Sequence, residues 1–244
     1  MKRIALALLA VTWSGMPCRA QSVNERLFEP GRSTSGGVLV NCTGGKPGPW
    51  AIDPGRPTVA VVHGINIFHP FWHYALGERY AEAIGPGENV LAWDWNARTL
   101  TGFRPSVIDK HAVEQGERLG SALLQAGLSP PSIRLIGQSE GCLVATSAAR
   151  TIRDRTGQTV RSLTLIDPAR GQHGQLFEEL GASSVASKVE HYWIEGPSGF
   201  GKAAAHPGIE DRKLDQQTGV RGYLRPSRLD HFNAVRWHLN QVRP

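Results

Sequence analysis

The sequence predicts a single α/β domain with a doubly wound, mostly parallel sheet flanked by helices, and three observations carry that reading. Apolar runs without polar alternation recur at Thr58–Val62, Ser132–Ile136 and Ser162–Ile166, as strands covered on both faces require. Helical patterns separate them, and alternation of strand with helix is the signature of a parallel sheet. The chain has 244 residues, of which 40% are hydrophobic and 20% charged, enough to bury one full core and unlike a disordered or fibrous chain.

Taken in order, Lys2 and Arg3 precede an apolar run from Ile4 to Trp13, and Cys18-Arg19-Ala20 supplies small residues around a cleavage point. Residues 1–20 therefore read as a secretory signal peptide, with the domain at 21–244 and a secreted or periplasmic destination. The apolar run is well short of the roughly 20 residues of a membrane-spanning helix. Residues 21–32 are polar. Val38-Leu39-Val40 reads as an edge strand followed by Gly- and Pro-containing turns.

Thr58–Val62 is the clearest buried strand, and it runs into His63-Gly64-Ile65-Asn66. An aromatic cluster, Phe68 to Tyr74, leads to a helix that ends near Ile84, and its rings fit either the wall of an acyl pocket or plain core packing. Asn89 to Trp95 is the next strand, with Asp94 at its end. Ser106 caps a helix that runs to Leu128, where Ser129-Pro130-Pro131 stops it. Beyond Ser139 a helix reaches about Arg153 and Gly157 breaks it. Strands then end at Asp167 and at Glu195, residues 197–226 read as a long functional loop, and an amphipathic helix from Phe232 to Val242 closes the chain.

The chemistry centres on Gly137-Gln138-Ser139-Glu140-Gly141, a GxSxG at the junction of a strand and a small-residue helix. A strand that turns directly into a helix puts the serine on a sharp, strained corner, and side chains at Gly137 and Gly141 would crowd it. The corner lifts the hydroxyl above the sheet, while the helix start offers free N–H groups to an oxyanion. A serine hydroxyl needs a base, and the base needs a carboxylate to orient it. Ser139, Asp167 and His231 meet that need in the order nucleophile, acid, base; Glu195 is the alternative acid and His206 the alternative base, while His238 fits a helix face.

His63-Gly64, Asn89 to Trp95, the elbow and Leu165-Ile166-Asp167-Pro168-Ala169 together resemble the α/β-hydrolase superfamily, and within it the pancreatic-type lipases. The likeness spans roughly His63 to Ala169. It implies an α/β-hydrolase fold, a serine ester hydrolase of carboxylesterase or lipase type, Ser139 as nucleophile, Asp167 as acid and His231 as base. It also implies backbone N–H groups of Ile65 and Glu140 as the oxyanion hole. The chain departs from the family pattern at Gln138, where a histidine or tyrosine is usual, and at Glu140, where an uncharged residue is usual. With three cysteines it has no cysteine-rich lid, and short soluble esters rather than emulsified lipid are expected. A peptidase, thioesterase or acyltransferase would use the same residues, and a non-catalytic binding protein could keep the fold.

The remaining features bound the partners. Removal of the leader lowers the net charge from +6 to +3, too mild for a nucleic-acid partner, and no basic run interleaved with aromatics suggests one. The expected partner is a small-molecule or lipid ester, with transient membrane or lipid contact; oligomeric state is left open. No cofactor or metal is expected, because His63, His69 and His73 have no Cys or acidic ligand at a recognised spacing and Pro70 interrupts them. Cys42 and Cys142 read as two separate thiols in preference to a bridge.

Overall fold

The computed structural model describes residues 37–45, 51–65, 72–95, 105–169, 172–195, 200–214 and 230–242. The expected leader, His69 and the first half of the aromatic cluster lie outside them. Seven strands form one sheet in the order β1-β3-β2-β4-β5-β6-β7. These are β1 Val38–Asn41, β2 Thr58–Val62, β3 Asn89–Asp94, β4 Ile133–Gln138, β5 Ser162–Ile166, β6 Val189–Trp193 and β7 Ile209–Lys213. All neighbouring pairs are parallel except β1 with β3, where Val38 pairs with Asp94 and Asn41 with Leu91. The expected doubly wound sheet is present, with the first strand as its antiparallel edge.

Why the apolar runs are continuous is visible in the packing. Ala60 and Val62 of β2 face one core, with Leu91, Leu135 and Leu163, against α2 (Pro105–Gln125) and α3 (Gly141–Thr156). Val59 and Val61 face the other, with Val90, Ile136 and Ile166, against α1 (Trp72–Ile84) and α5 (Asp230–Gln241). Every residue of β2 is buried, so neither face could tolerate alternation. Burial of each such aliphatic side chain contributes about 1.5–3 kcal/mol, which makes the central strands the rigid platform for whatever their ends carry.

One expectation needs correction. Residues 197–226 are not a single loop, because β7 pairs in parallel with β6 from Val189 opposite Ile209 to Trp193 opposite Lys213. Its sequence, Ile-Glu-Asp-Arg-Lys, shows no alternation since β7 is an edge strand whose last four residues are exposed. Backbone bonding to β6 and the ion pairs of Lys188 with Glu210 and of Lys213 with Glu195 hold it. A short helix, α4 (Ala182–Val185), precedes β6. Cys42 and Cys142 are free and buried, as two separate thiols.

Candidate active site

The ends of β2, β4 and β5 and the start of α5 bring the site together. β4 stops at Gln138 and α3 begins at Gly141, so Ser139 takes the whole change of direction and adopts φ 55°, a left-handed conformation rare for a non-glycine residue. The corner is pinned by the Ser139 N–H donating to the Ile166 carbonyl at 3.0 Å and the Cys142 N–H donating to the Ser139 carbonyl at 3.0 Å. Gly141 explains part of the motif: a Cβ there would lie 2.4 Å from the Val62 carbonyl oxygen and 2.6 Å from that of His63. The end of β2 is packed directly onto the start of the helix.

Gly64 explains the loop after β2. A Cβ at this position would lie 2.6 Å from the Ser139 Cβ, so the backbone passes immediately over the serine and carries Ile65 with it. The Gly64 N–H donates to Gln138 Oε1 at 3.1 Å, tying the loop to β4. No hydrogen bond among the described residues uses the N–H of Ile65 or of Glu140. His63 is a structural residue: its Nδ1 bonds the Gly64 carbonyl at 2.6 Å, and its Nε2 accepts the Trp95 N–H at 3.4 Å. Trp95 returns a bond from its indole N–H to the His63 carbonyl at 2.9 Å.

Asp167 leaves β5 with φ 43° and is fully buried. Its Oδ2 accepts His231 Nδ1 at 2.6 Å and the Phe200 N–H at 3.3 Å; its Oδ1 accepts the Ile194 and Gly201 N–H groups, each at 3.1 Å. A buried carboxylate is stable only when donors surround it, and this one has four. His231, in the first turn of α5, is also buried, with the Phe200 ring edge-on at a centroid distance of 4.7 Å. Phe200 is itself 40% exposed.

The structure thus brings Asp167 and His231 together and leaves the alternatives elsewhere. Glu195 has a side chain 64% exposed and pairs with Lys213. His206 is half-buried and its Nδ1 bonds the Pro207 carbonyl at 2.7 Å. His238, buried on the inner face of α5, contacts the Tyr80 hydroxyl through Nδ1 at 2.8 Å. Burial drives His238 down to about 4 and the Tyr80 hydroxyl well above its ordinary range, so both are neutral and the hydroxyl donates.

Two contacts around Ser139 were not anticipated from the sequence. Its hydroxyl donates to Glu140 Oε2 at 2.7 Å, and Gln138 Nε2 lies 2.8 Å from His231 Nε2. Both involve the residues that depart from the lipase pattern. Phe200 was also missed, although its setting between Gly199 and Gly201 is the only local sign that its backbone approaches another group closely. Among the described residues no cluster of His, Cys, Asp and Glu has the makings of a metal site.

No protein-family model matches the chain. No curated protein matches it in sequence either. Among solved structures it is similar to an esterase of Pyrobaculum calidifontis, at 16% identity and a TM-score of 0.49, over 84% of each chain. It is also similar to a predicted CIB-like hydrolase of Thermoplasma acidophilum, at 15% identity and a TM-score of 0.46, over 84% of this chain and 91% of that one. A bacterial heroin esterase is similar at 13% identity and a TM-score of 0.46, over 85% of this chain and 80% of that one. The α/β-hydrolase fold class rests on the chain's own sheet order and on the strand-to-helix corner at Ser139.

Proposed function

We propose that the protein is a serine hydrolase that cleaves carboxylic esters, with Ser139 as nucleophile, His231 as base and Asp167 as the acid that orients it. The observation that carries the reading is the 2.6 Å bond from His231 Nδ1 to a fully buried Asp167 beside a serine held at φ 55°. With Nδ1–H donated to Asp167, the neutral imidazole has its lone pair on Nε2, the form that accepts a proton.

In the proposed reaction the Ser139 hydroxyl gives its proton to His231 Nε2 as Oγ bonds the ester carbonyl carbon. The carbonyl electron pair moves onto oxygen, where the N–H groups of Ile65 and Glu140 receive it. Collapse of this intermediate breaks the bond to the alcohol oxygen, which takes the proton from Nε2. Water then repeats the sequence on the acyl-enzyme and frees Ser139. Contacts between nucleophile and base often tighten only in the substrate complex, so the Ser139 hydroxyl leaves Glu140 for His231 on binding. An acid at the end of β5 is also the arrangement of the pancreatic-type lipase branch that the sequence resembles.

We also propose export from the cytoplasm with removal of residues 1–20, on the ground of Lys2 and Arg3 before the apolar run Ile4 to Trp13. The principal test is labelling of the purified protein by a fluorophosphonate, with hydrolysis of p-nitrophenyl acetate measured alongside. Labelling and turnover that vanish in Ser139→Ala support the reading. A folded protein that is neither labelled nor active would leave a binding module on the same fold.

A further inference from the structure

The amide of Gln138 makes two bonds that fix its orientation. At one end Oε1 accepts the Gly64 N–H at 3.1 Å, and because a backbone N–H can only donate, the atom facing it must be the oxygen. The NH2 end then faces His231 Nε2 at 2.8 Å, and an NH2 group can only donate. Nε2 is therefore the accepting, bare nitrogen. Gln138 is 3% exposed, which leaves little water to replace either bond.

We propose that Gln138 is a positioning residue that holds His231 in the neutral form with Nε2 bare and couples its release to the loop carrying Ile65. The inference rests on the proposed hydrolase reading and goes beyond it by giving a task to the residue before the nucleophile. The coupling follows from one rigid amide joining both partners. A proton arriving on Nε2 would point at the amide's own N–H, so the amide must withdraw as Ser139 delivers its proton. Withdrawal also removes the acceptor from the Gly64 N–H, and the loop over Ser139 becomes free to turn its N–H groups towards a developing oxyanion. At rest the serine hydroxyl is held by Glu140 and the imidazole by Gln138, and substrate binding exchanges both contacts for the one between Ser139 and His231.

Two hydrogen bonds among the described residues hold His231, from Nδ1 to Asp167 and from the Gln138 amide to Nε2, and Glu140 holds the neighbouring Ser139 hydroxyl. Of these, Gln138 is the one that disfavours a proton on Nε2. Two substitutions separate its role from simple packing. Gln138→Met keeps the length and removes both bonds, so the acid limb of kcat/KM should move up by about half to one pH unit, the equivalent of one net hydrogen bond. Gln138→Glu keeps an acceptor for Gly64 and puts a second carboxylate on His231. It should move the limb further up, by more than one pH unit, because the imidazole is then paired as a cation on both sides.

The experiment is the pH profile of p-nitrophenyl acetate hydrolysis by the wild type and both variants, with thermal melts and nitrogen-15 spectra of the histidine side chains. In the wild type the His231 spectrum should show a bare Nε2 and a protonated Nδ1 at neutral pH. Acid limbs that rise in the order wild type, Gln138→Met, Gln138→Glu support the proposal. Limbs that coincide while Ser139 still takes the fluorophosphonate overturn it and leave the hydrolase reading standing. If the wild type is not labelled, the hydrolase reading fails, and the spectra still decide whether Gln138 holds Nε2 bare. A wild-type spectrum with the proton on Nε2 would refute the proposal directly.

Discussion

Replacing Asp167 with asparagine changes almost no volume and should still be severe, because of how its four hydrogen bonds are divided. Oδ2 serves His231 and the Phe200 N–H, while Oδ1 serves the N–H groups of Ile194 and Gly201. Asparagine turns one oxygen into a donor, so either orientation sets an NH2 against two groups that donate. The orientation facing His231 is the less costly, since an imidazole can move its proton to the other nitrogen while a peptide cannot. That move puts hydrogen on Nε2, against the Gln138 amide, and removes the lone pair that must accept the Ser139 proton. We expect kcat to fall by about 10⁴, the loss found when a triad carboxylate becomes an amide, with KM little changed. Stability should fall by about 1–3 kcal/mol for the Phe200 N–H and the lost charge. For a chain of this size that is roughly 2–12 °C in Tm, small enough to keep the variant folded at 25 °C. Glu195→Gln is the control, and its exposed pair with Lys213 should be worth about 1 kcal/mol or less. Initial rates on p-nitrophenyl acetate and thermal melts read both variants. The reasoning fails if Asp167→Asn keeps its rate within tenfold while folded, or if Glu195→Gln loses as much.

Acid should destabilise the fold through His238, which burial drives from its ordinary 6.5 to about 4 against the opposing charge of Glu190. The folded value lies below the unfolded one, so stability is complete above about pH 6.5 and falls as the pH drops towards 4, by about 3 kcal/mol in all. His238→Gln keeps an acceptor for the Tyr80 hydroxyl and should make the fall of urea-unfolding stability over that window shallower, with the lowered His173 and His191 supplying the remainder; an unchanged slope would exclude His238 as a contributor. Burial also pushes the Cys142 thiol well up, and Cys42 is fully buried, so a thiol reagent at pH 8 should react with both only after unfolding. Rapid reaction of either in folded protein would contradict the packing.

How much of this was legible depended on whether the cause is local in the chain. The runs that became β2, β4 and β5 were readable because a strand covered on both faces has no room for polar alternation. Ser139 was readable for a similar reason, since the corner needs small neighbours at fixed offsets and both lie within two residues of it. β7 was not, because an exposed edge strand is held by its partner's backbone and two ion pairs, and its own pattern is merely charged. The preference for Asp167 over Glu195 came from the resemblance carried by Asp167-Pro168-Ala169, and no local pattern of the chain decided it. Both follow strands, and which one meets His231 depends on where α5 sets its first turn, 64 residues beyond Asp167 in the chain. The bond from Gln138 to His231 spans 93 residues and left no local sign beyond an unusual residue before the serine.

The short segment from Phe200 to Ala205 shows how the site depends on a region with no regular structure. Its N–H groups reach three acceptors in turn: Phe200 and Gly201 bond Asp167, Lys202 bonds His173 Nε2 at 3.3 Å, and Ala204 and Ala205 bond Asp211 at 3.1 and 3.0 Å. Asp211 in turn holds His191 Nδ1 at 2.6 Å. Burial lowers both His173 and His191, which keeps them neutral at neutral pH. Neutrality matters for each in a different way. His173 can accept the Lys202 N–H only while Nε2 is bare, and His191 Nε2 is buried with no hydrogen-bond partner among the described residues, so a proton there would add a donor without an acceptor among them. Acid therefore attacks the middle of the segment whose first two residues complete the shell of Asp167. The backbone donors to Asp167 and those to Asp211 on the edge strand thus lie on one segment, beside two histidines that take no part in the proposed reaction.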